Sequence, residues 1–179
     1  NNHMISTLQR PNLIQSEGMQ LAANFILGIC SKYNLKPDLY DLYSCFPVAV
    51  QMFAKSLKLD HINDKTITGA MPFAGGPLNS YVLHSTAKLI EKLRENNNVG
   101  IITGVSGMMT KQSYALWSKN PLIDFKYKDC THKAKEIELP VKLSDQKSGS
   151  GKIIGYTILV KNNINKAIIF VDTDDKKRK

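Results

Sequence analysis

Long apolar runs are missing from this chain. No stretch approaches the roughly 20 consecutive apolar residues that a membrane-spanning helix needs, and no charged-then-apolar leader opens it, so neither a span nor a secretion signal is expected. Cysteine is scarce: Cys30, Cys45 and Cys130 are an odd number without metal-ligand spacing. That pattern excludes a disulfide framework and a cysteine-built metal centre, and predicts a reduced, cytoplasmic setting. Acids are in deficit, with 15 Asp and Glu against 24 Lys and Arg, a formal charge of +9. An excess of this sign favours anionic partners such as nucleic acid, acidic lipid or a phosphorylated cofactor. Aromatics make up only 8% of the chain. In its basic late stretch few aromatics could stack on bases, Tyr127, Tyr156 and Phe170 among them, which argues against nucleic acid as the partner.

What is present is ordinary for a globular protein. Hydrophobic residues make up 42% and charged residues 22% of 179 positions. That length allows one compact domain with a buried core plus an appendage. Much of the positive excess lies in Lys126, Lys128, Lys133, Lys135, Lys142 and the final Lys176-Lys177-Arg178-Lys179, which read as a solvated surface and tail. The opening Asn1-Asn2-His3-Met4 reads as an expression remnant, making the chain a piece of a longer one.

Along the chain, Arg10-Pro11-Asn12 is a turn and a helix is predicted over 16–33. Its apolar residues circle the whole helix, so burial on most sides is expected. A short alternating strand follows over 39–43, and Ser44-Cys45-Phe46-Pro47 turns it into a helix over 48–57. Pro is favourable at a first helical turn. Cys45, beside the positive end of that helix, is placed where a thiolate is favoured. A β-branched segment, Thr66-Ile67-Thr68, leads as a strand into the corner Pro72-Phe73-Ala74-Gly75-Gly76-Pro77-Leu78-Asn79-Ser80, where Gly69, Gly75 and Gly76 supply backbone freedom. Asn79 and Ser80 are candidate N-caps for a helix over 80–94.

After Glu95-Asn96-Asn97-Asn98 a strand is predicted over 99–103, ending in a glycine loop, Gly104-Val105-Ser106-Gly107, and then a strand over 108–117. The pattern β-α-β-α-β-β points to helices on a mixed sheet. From Leu122 the chain turns basic and loses helical periodicity; Ser144 to Lys152 is a Ser/Gly/Lys linker whose glycine spacing does not fit a phosphate loop. Strands over 153–160 and 166–171 flank Asn162-Asn163-Ile164-Asn165 as a hairpin turn. A lone hairpin is not stable in water, so this tail must pack on the main domain or belong to a small barrel. The division expected is 10–120 for the main domain and 121–179 for a small β domain.

Three stretches together resemble the C-terminal half of the thiolase superfamily, in a divergent branch near the sterol-carrier-type thiolases. They are Arg10-Pro11 with its following helix, Asp41-Leu42-Tyr43-Ser44-Cys45-Phe46-Pro47-Val48-Ala49-Val50-Gln51, and Phe73-Ala74-Gly75-Gly76-Pro77-Leu78-Asn79-Ser80-Tyr81-Val82. The likeness covers about residues 10–118, and the tail looks like the extra C-terminal β domain of that branch. It implies an α/β fold, a layered mixed sheet with packed helices and a partial β barrel as appendage. It further implies acetyl-CoA acetyltransferase-like acyl transfer in lipid metabolism, with coenzyme A or an acyl-CoA thioester as substrate or ligand, no covalently bound cofactor, and a homodimer or homotetramer. The nucleophilic cysteine of such enzymes belongs to the other half.

Carried over by residue, the family's N-E-A-F or H-D-C-F loop falls on Tyr43-Ser44-Cys45-Phe46, its G-H-P loop on Gly75-Gly76-Pro77, and its second cysteine on Gly104. The usual Asn or His thus becomes Tyr43, and the His becomes Gly76. Cys45 and Tyr43 remain as candidate catalytic groups. Gly75, Gly76, Pro77, Asn79, Gly104, Ser106 and Gly107 are candidate substrate-binding positions, and no metal site is expected. His84 lies two turns into its helix, beyond reach of the lost histidine's place. Two readings follow: an acyl-CoA acyltransferase half, or a non-catalytic thiolase-like protein that binds acyl-CoA or scaffolds a partner.

Overall fold

The computed structural model describes residues 1–59, 65–95, 99–122, 124–146, 148–161 and 164–179, without the side chains of 161, 164 and 165. Helix α1 spans Glu17–Lys32, begun by Ser16, whose hydroxyl accepts from the Met19 N–H at 3.4 Å. Gly18, Met19, Ala23, Ile26 and Cys30 are its buried residues, so burial follows one stripe rather than most sides, which is what the sequence led us to expect. Strand β1 (Leu39–Asp41) and helix α2 (Pro47–Ser56) follow, with Pro47 in the first turn, where no N–H is missed. A single turn, α3 (Met71–Ala74), occupies the glycine corner. Thr66-Ile67-Thr68 is not a strand; its backbone bends around the carboxylate of Asp41.

Helix α4 (Tyr81–Glu95) buries Tyr81, Ser85, Leu89 and Leu93, one residue every four, and packs on strand β2 (Val99–Ser106). The packing is close enough that a Cβ at Gly100 would run into the Leu89 side chain. Strand β3 (Met108–Ser118) returns antiparallel to β2, while β1 runs parallel to it, giving a mixed sheet in the order β1-β2-β3. The expected glycine loop after residue 103 is largely strand. Gly104 pairs with Ser113, a bulge follows at Val105/Ser106, and only Gly107, at φ 76°, makes the turn. On the other face, α1 and α2 meet in a core that includes Met19, Ile26, Leu42, Met52, Phe53 and Ile101.

The tail is not purely β. Helix α5 (Thr131–Ile137) forms where no helical periodicity was read, and Glu138 directly after it is 1% exposed. The Glu138 carboxylate accepts from the Ser16 hydroxyl at 3.0 Å and the Gly18 N–H at 3.3 Å, placing an anion on the N-terminus of α1. Strands β4 (Gly151–Lys161) and β5 (Ile164–Thr173) form an antiparallel two-stranded sheet; no barrel closes among the described residues. The turn read at Asn162-Asn163 and the break at Asn96-Asn97-Asn98 lie outside the described residues.

Both chain ends are integrated, against expectation. Asn1 exchanges backbone hydrogen bonds with Gln112, and His3, 8% exposed, meets the Glu138 carbonyl oxygen at 2.9 Å. Arg178, read as a solvated tail residue, is 3% exposed. Its guanidinium binds Asp172 at 2.7 Å and the carbonyls of Leu8 and Arg10, so it fastens the base of the β4–β5 ribbon to the opening segment. The backbone of Arg178 also donates to Lys142 and accepts from Ser144.

Removing that clasp leaves Asp172 and two carbonyls without their donor, at roughly 1–3 kcal/mol per unsatisfied group. Arg178→Ala is therefore expected to raise hydrogen exchange in β4 and β5 amides while those of β2 stay protected. Equal protection in both proteins would show that the clasp does not hold the ribbon.

Candidate functional site

Asp41 ends β1 and is 1% exposed, with no cation bonded to it among the described residues. Its charge is satisfied by donors. Oδ1 accepts from the Tyr81 and Ser85 hydroxyls, both at 2.8 Å. Oδ2 accepts from the Thr68 hydroxyl at 2.8 Å, the Thr66 hydroxyl at 3.1 Å and the N–H groups of Ile67 and Thr68. A buried carboxylate held only by neutral groups needs this many to offset its lost hydration. In meeting that need it fixes the first turn of α4, the 66–70 loop and β1 in one arrangement.

Tyr43 follows immediately. Its N–H donates to the Thr103 hydroxyl at 2.9 Å, and its ring stands edge-on to Tyr81 at 5.5 Å and 89°. Ser44 accepts from the Met71 N–H at 2.9 Å, tying the loop before α2 to α3. Positive φ at Gly69, Ala70 and Gly75 lets the corner fold back beside this contact, and Ser80 donates to the Pro77 carbonyl at 2.7 Å.

Above the C-terminal half of β2 lies a cavity of about 660 Å³. It gathers Tyr43, Asn79, Gly104, Ser106 and Gly107 from the sequence-based candidates and adds Lys111, Ser113, Tyr127 and Asp129. The bulge re-aims the end of β2 toward it. At Gly104 a Cβ would fall 2.7 Å from the Ser113 hydroxyl, which would have to turn aside. Cys45, Gly75, Gly76 and Pro77 do not line this cavity, and His84 is exposed on α4 outside it. An apolar groove of about 640 Å³ between α1 and β3 shares Asn1, Ser113 and Tyr127 with it.

The cavity is rich in idle donors. Tyr43 Oη, Asn79, Ser106 Oγ, Lys111 Nζ and Ser113 Oγ make no hydrogen bond within the described residues, whereas the one lining carboxylate, Asp129, is engaged by the N–H and hydroxyl of Thr131. Such a set can hold a carbonyl oxygen or an anion. Lys111 and Ser113 were missed as site residues because alternation along β3 shows which residues share a face, not which face opens on a cavity.

Burial pushes the Cys45 thiol up, with backbone hydrogen bonds at Phe46 and Cys45 only partly offsetting it, so the expected thiolate is disfavoured. Burial also pushes up Tyr43, with Cys45 adding to the effect.

With the geometry in place, comparison with known proteins defines the class of fold. No family model and no curated protein sequence matches this chain. The chain does have a thiolase-like fold. It superposes on the crystal structure of a monomeric SCP2-thiolase-like protein type 1 from Mycobacterium smegmatis with a TM-score of 0.83 and 24% identity, over 99% of this chain. It spans 40% of that protein's length. No helix among the described residues is long and apolar enough to cross a membrane.

The pH dependence of stability follows from the buried acids. Burial raises Cys30, Cys45, Tyr40, Tyr43, Tyr81 and Tyr114. The unfolded chain releases these protons near the ordinary values, about 8.5 for cysteine and about 10 for tyrosine. Above them the unfolded state binds fewer protons than the folded one, so stability falls as pH rises. The urea midpoint is expected to drop between pH 7 and pH 10; a flat profile would contradict the burial of these groups.

Proposed function

We propose that the Tyr43–Asn79–Gly104–Ser106 cavity binds an acyl-CoA thioester, and that the chain supplies the thioester-binding half of a thiolase-like acyl transfer. The observation that carries this reading is the convergence of idle neutral donors on a cavity at the end of β2. Converging neutral donors suit a thioester carbonyl whose oxygen gains negative charge during acyl transfer. In this reading the Tyr43 and Ser106 hydroxyls donate to that oxygen. Gly104 and Gly107 keep the wall open, and Gly75, Gly76 and Pro77 shape the corner that presents Asn79. Cys45 receives no nucleophilic role, being outside the cavity and held protonated by burial. The attacking thiolate then comes from residues other than these.

A second reading, acyl-CoA binding without transfer, is favoured by the lining itself. It holds no histidine or cysteine, and its carboxylate Asp129 is occupied by Thr131. A general base must stand within hydrogen-bond reach of the proton it takes, and no imidazole, thiolate or free carboxylate lines this cavity to take one.

Acetyl-CoA at millimolar concentration is expected to raise the melting temperature by a few degrees, as any ligand that binds only the folded state does. Tyr43→Phe combined with Ser106→Ala should remove most of that rise. Acyl transfer from acetyl-CoA, assayed alongside, separates the readings: turnover supports the first, and a thermal shift without turnover supports the second. No shift from acetyl-CoA or longer acyl-CoA thioesters would sink both.

A further inference from the structure

One edge of the main sheet is left unfinished. β3 is the last strand in the order β1-β2-β3, and Asn1 is bonded to its outer side. The Asn1 amino group donates to the Gln112 carbonyl at 3.0 Å, and the Gln112 N–H donates back to the Asn1 carbonyl at 3.1 Å. Two residues that exchange both bonds form the hydrogen-bonded pair of an antiparallel ladder. The register of β3 against β2 is regular from Gln112 to Ser118, so the backbone groups of Tyr114 and Leu116 point to the same outer side as those of Gln112. Among the described residues they meet no partner there.

Beside this row lies the apolar groove of about 640 Å³. Phe25, Ile26 and Ile29 of α1 form one wall and residues 124–128 the other, and the Lys128 ammonium reaches over the Phe25 ring at 5.7 Å. The row of idle backbone groups decides between occupants. An acyl chain would fill the groove but would cover those N–H and C=O groups without pairing them, which is costly. The β3 edge of a second copy would arrive with its own α1 packed on it and meet the wall at residues 124–128. A single extended strand meets both demands, because it pairs with the row and lays alternate side chains on the apolar wall.

We propose that this slot receives an extended peptide strand that runs antiparallel to β3, in line with Asn1, and adds a fourth strand to the sheet. The Asn1–Gln112 pair sets its direction and register. Residues two and four places ahead of Asn1 in that line would stand opposite Tyr114 and Leu116. Directly opposite residues share a face of the sheet, and Tyr114 and Leu116 pack on the α1 side. The incoming strand is therefore apolar at those alternate positions. The inference stands apart from the thioester reading, although the strand would pass along the wall that Asn1 and Ser113 give to both cavities.

The test appends short segments directly ahead of Asn1 in the full chain, which holds the probe at the mouth of the slot at high effective concentration. Amide hydrogen exchange of Tyr114 and Leu116 is then followed by NMR. The segment Val-Thr-Val-Thr-Val-Thr places valine opposite both residues, and is expected to slow their exchange by about ten-fold or more relative to the unextended chain. The segment Val-Thr-Pro-Thr-Pro-Thr lacks the N–H groups that would bond to Tyr114 and Leu116, and should leave their exchange unchanged. Equal rates in all three proteins would overturn the proposal. Equal slowing by both segments would overturn it too, since that is covering without pairing. Protection of the unextended chain that grows with protein concentration would give the edge to a second copy. Slowing by decanoate but not by the valine segment would give the groove to an acyl chain, and either result overturns the assignment.

Discussion

The buried carboxylate of Asp41 is the constraint on which the site depends. An anion at 1% exposure with no bonded cation among the described residues is tolerable only while its donors stay in place. Those donors come from two separate parts of the chain, the 66–68 loop and the first turns of α4, and Tyr81 extends the set to Tyr43 by an edge-on ring contact. Moving any one of them leaves the buried carboxylate short of a donor. The arrangement is thus a frame behind the cavity, reaching its lining at Tyr43.

In front of that frame the chemistry is of holding. The groups aimed into the cavity include hydroxyls, an amide and the Lys111 ammonium, while the imidazoles, thiols and carboxylates of the described residues are either outside it or occupied. Gly104 leaves room for the Ser113 hydroxyl, which a Cβ would crowd. The corner around Gly75 and Gly76 plays a different part. It lies outside the cavity and turns the backbone so that α4 starts where Tyr81 can reach Asp41.

The tail is attached by the same principle as the frame, through charged groups placed on backbone partners. Glu138 completes the N-terminus of α1 and Arg178 collects two carbonyls of the opening segment while pairing with Asp172. Asp129, which leads into α5, forms part of the cavity wall, so the docking of this region and the shape of the site are coupled. The β4–β5 ribbon itself projects much apolar surface, with Tyr156 and Val160 among its most exposed residues.

The alternation of β3, the proline-started α2 and the amphipathic α4 were legible in the residues, because period and capping are local properties. The resemblance carried by Asp41 to Gln51 and Phe73 to Val82 placed the thiolase-like fold correctly, and it brought Tyr43, Asn79, Gly104, Ser106 and Gly107 into view before their meeting in one cavity could be seen. Local pattern misread three stretches for identifiable reasons. Thr66-Ile67-Thr68 has strand propensity, but its N–H groups are claimed by Asp41. Residues 131–137 lack a helical stripe because the helix buries only Ala134. Arg178 sits in a run of charge, yet long-range backbone carbonyls make it a buried clasp.

By itself, then, the order of residues determined the elements whose period and caps are local, such as α2, α4 and β3, since each of those choices is made within a few neighbours. Which polar groups are buried, which are satisfied and which are left idle was decided only when segments from residues 1 to 131 met around one cavity. Satisfaction of a hydrogen bond is a property of two partners in space, and the spacing of one partner along the chain does not contain it.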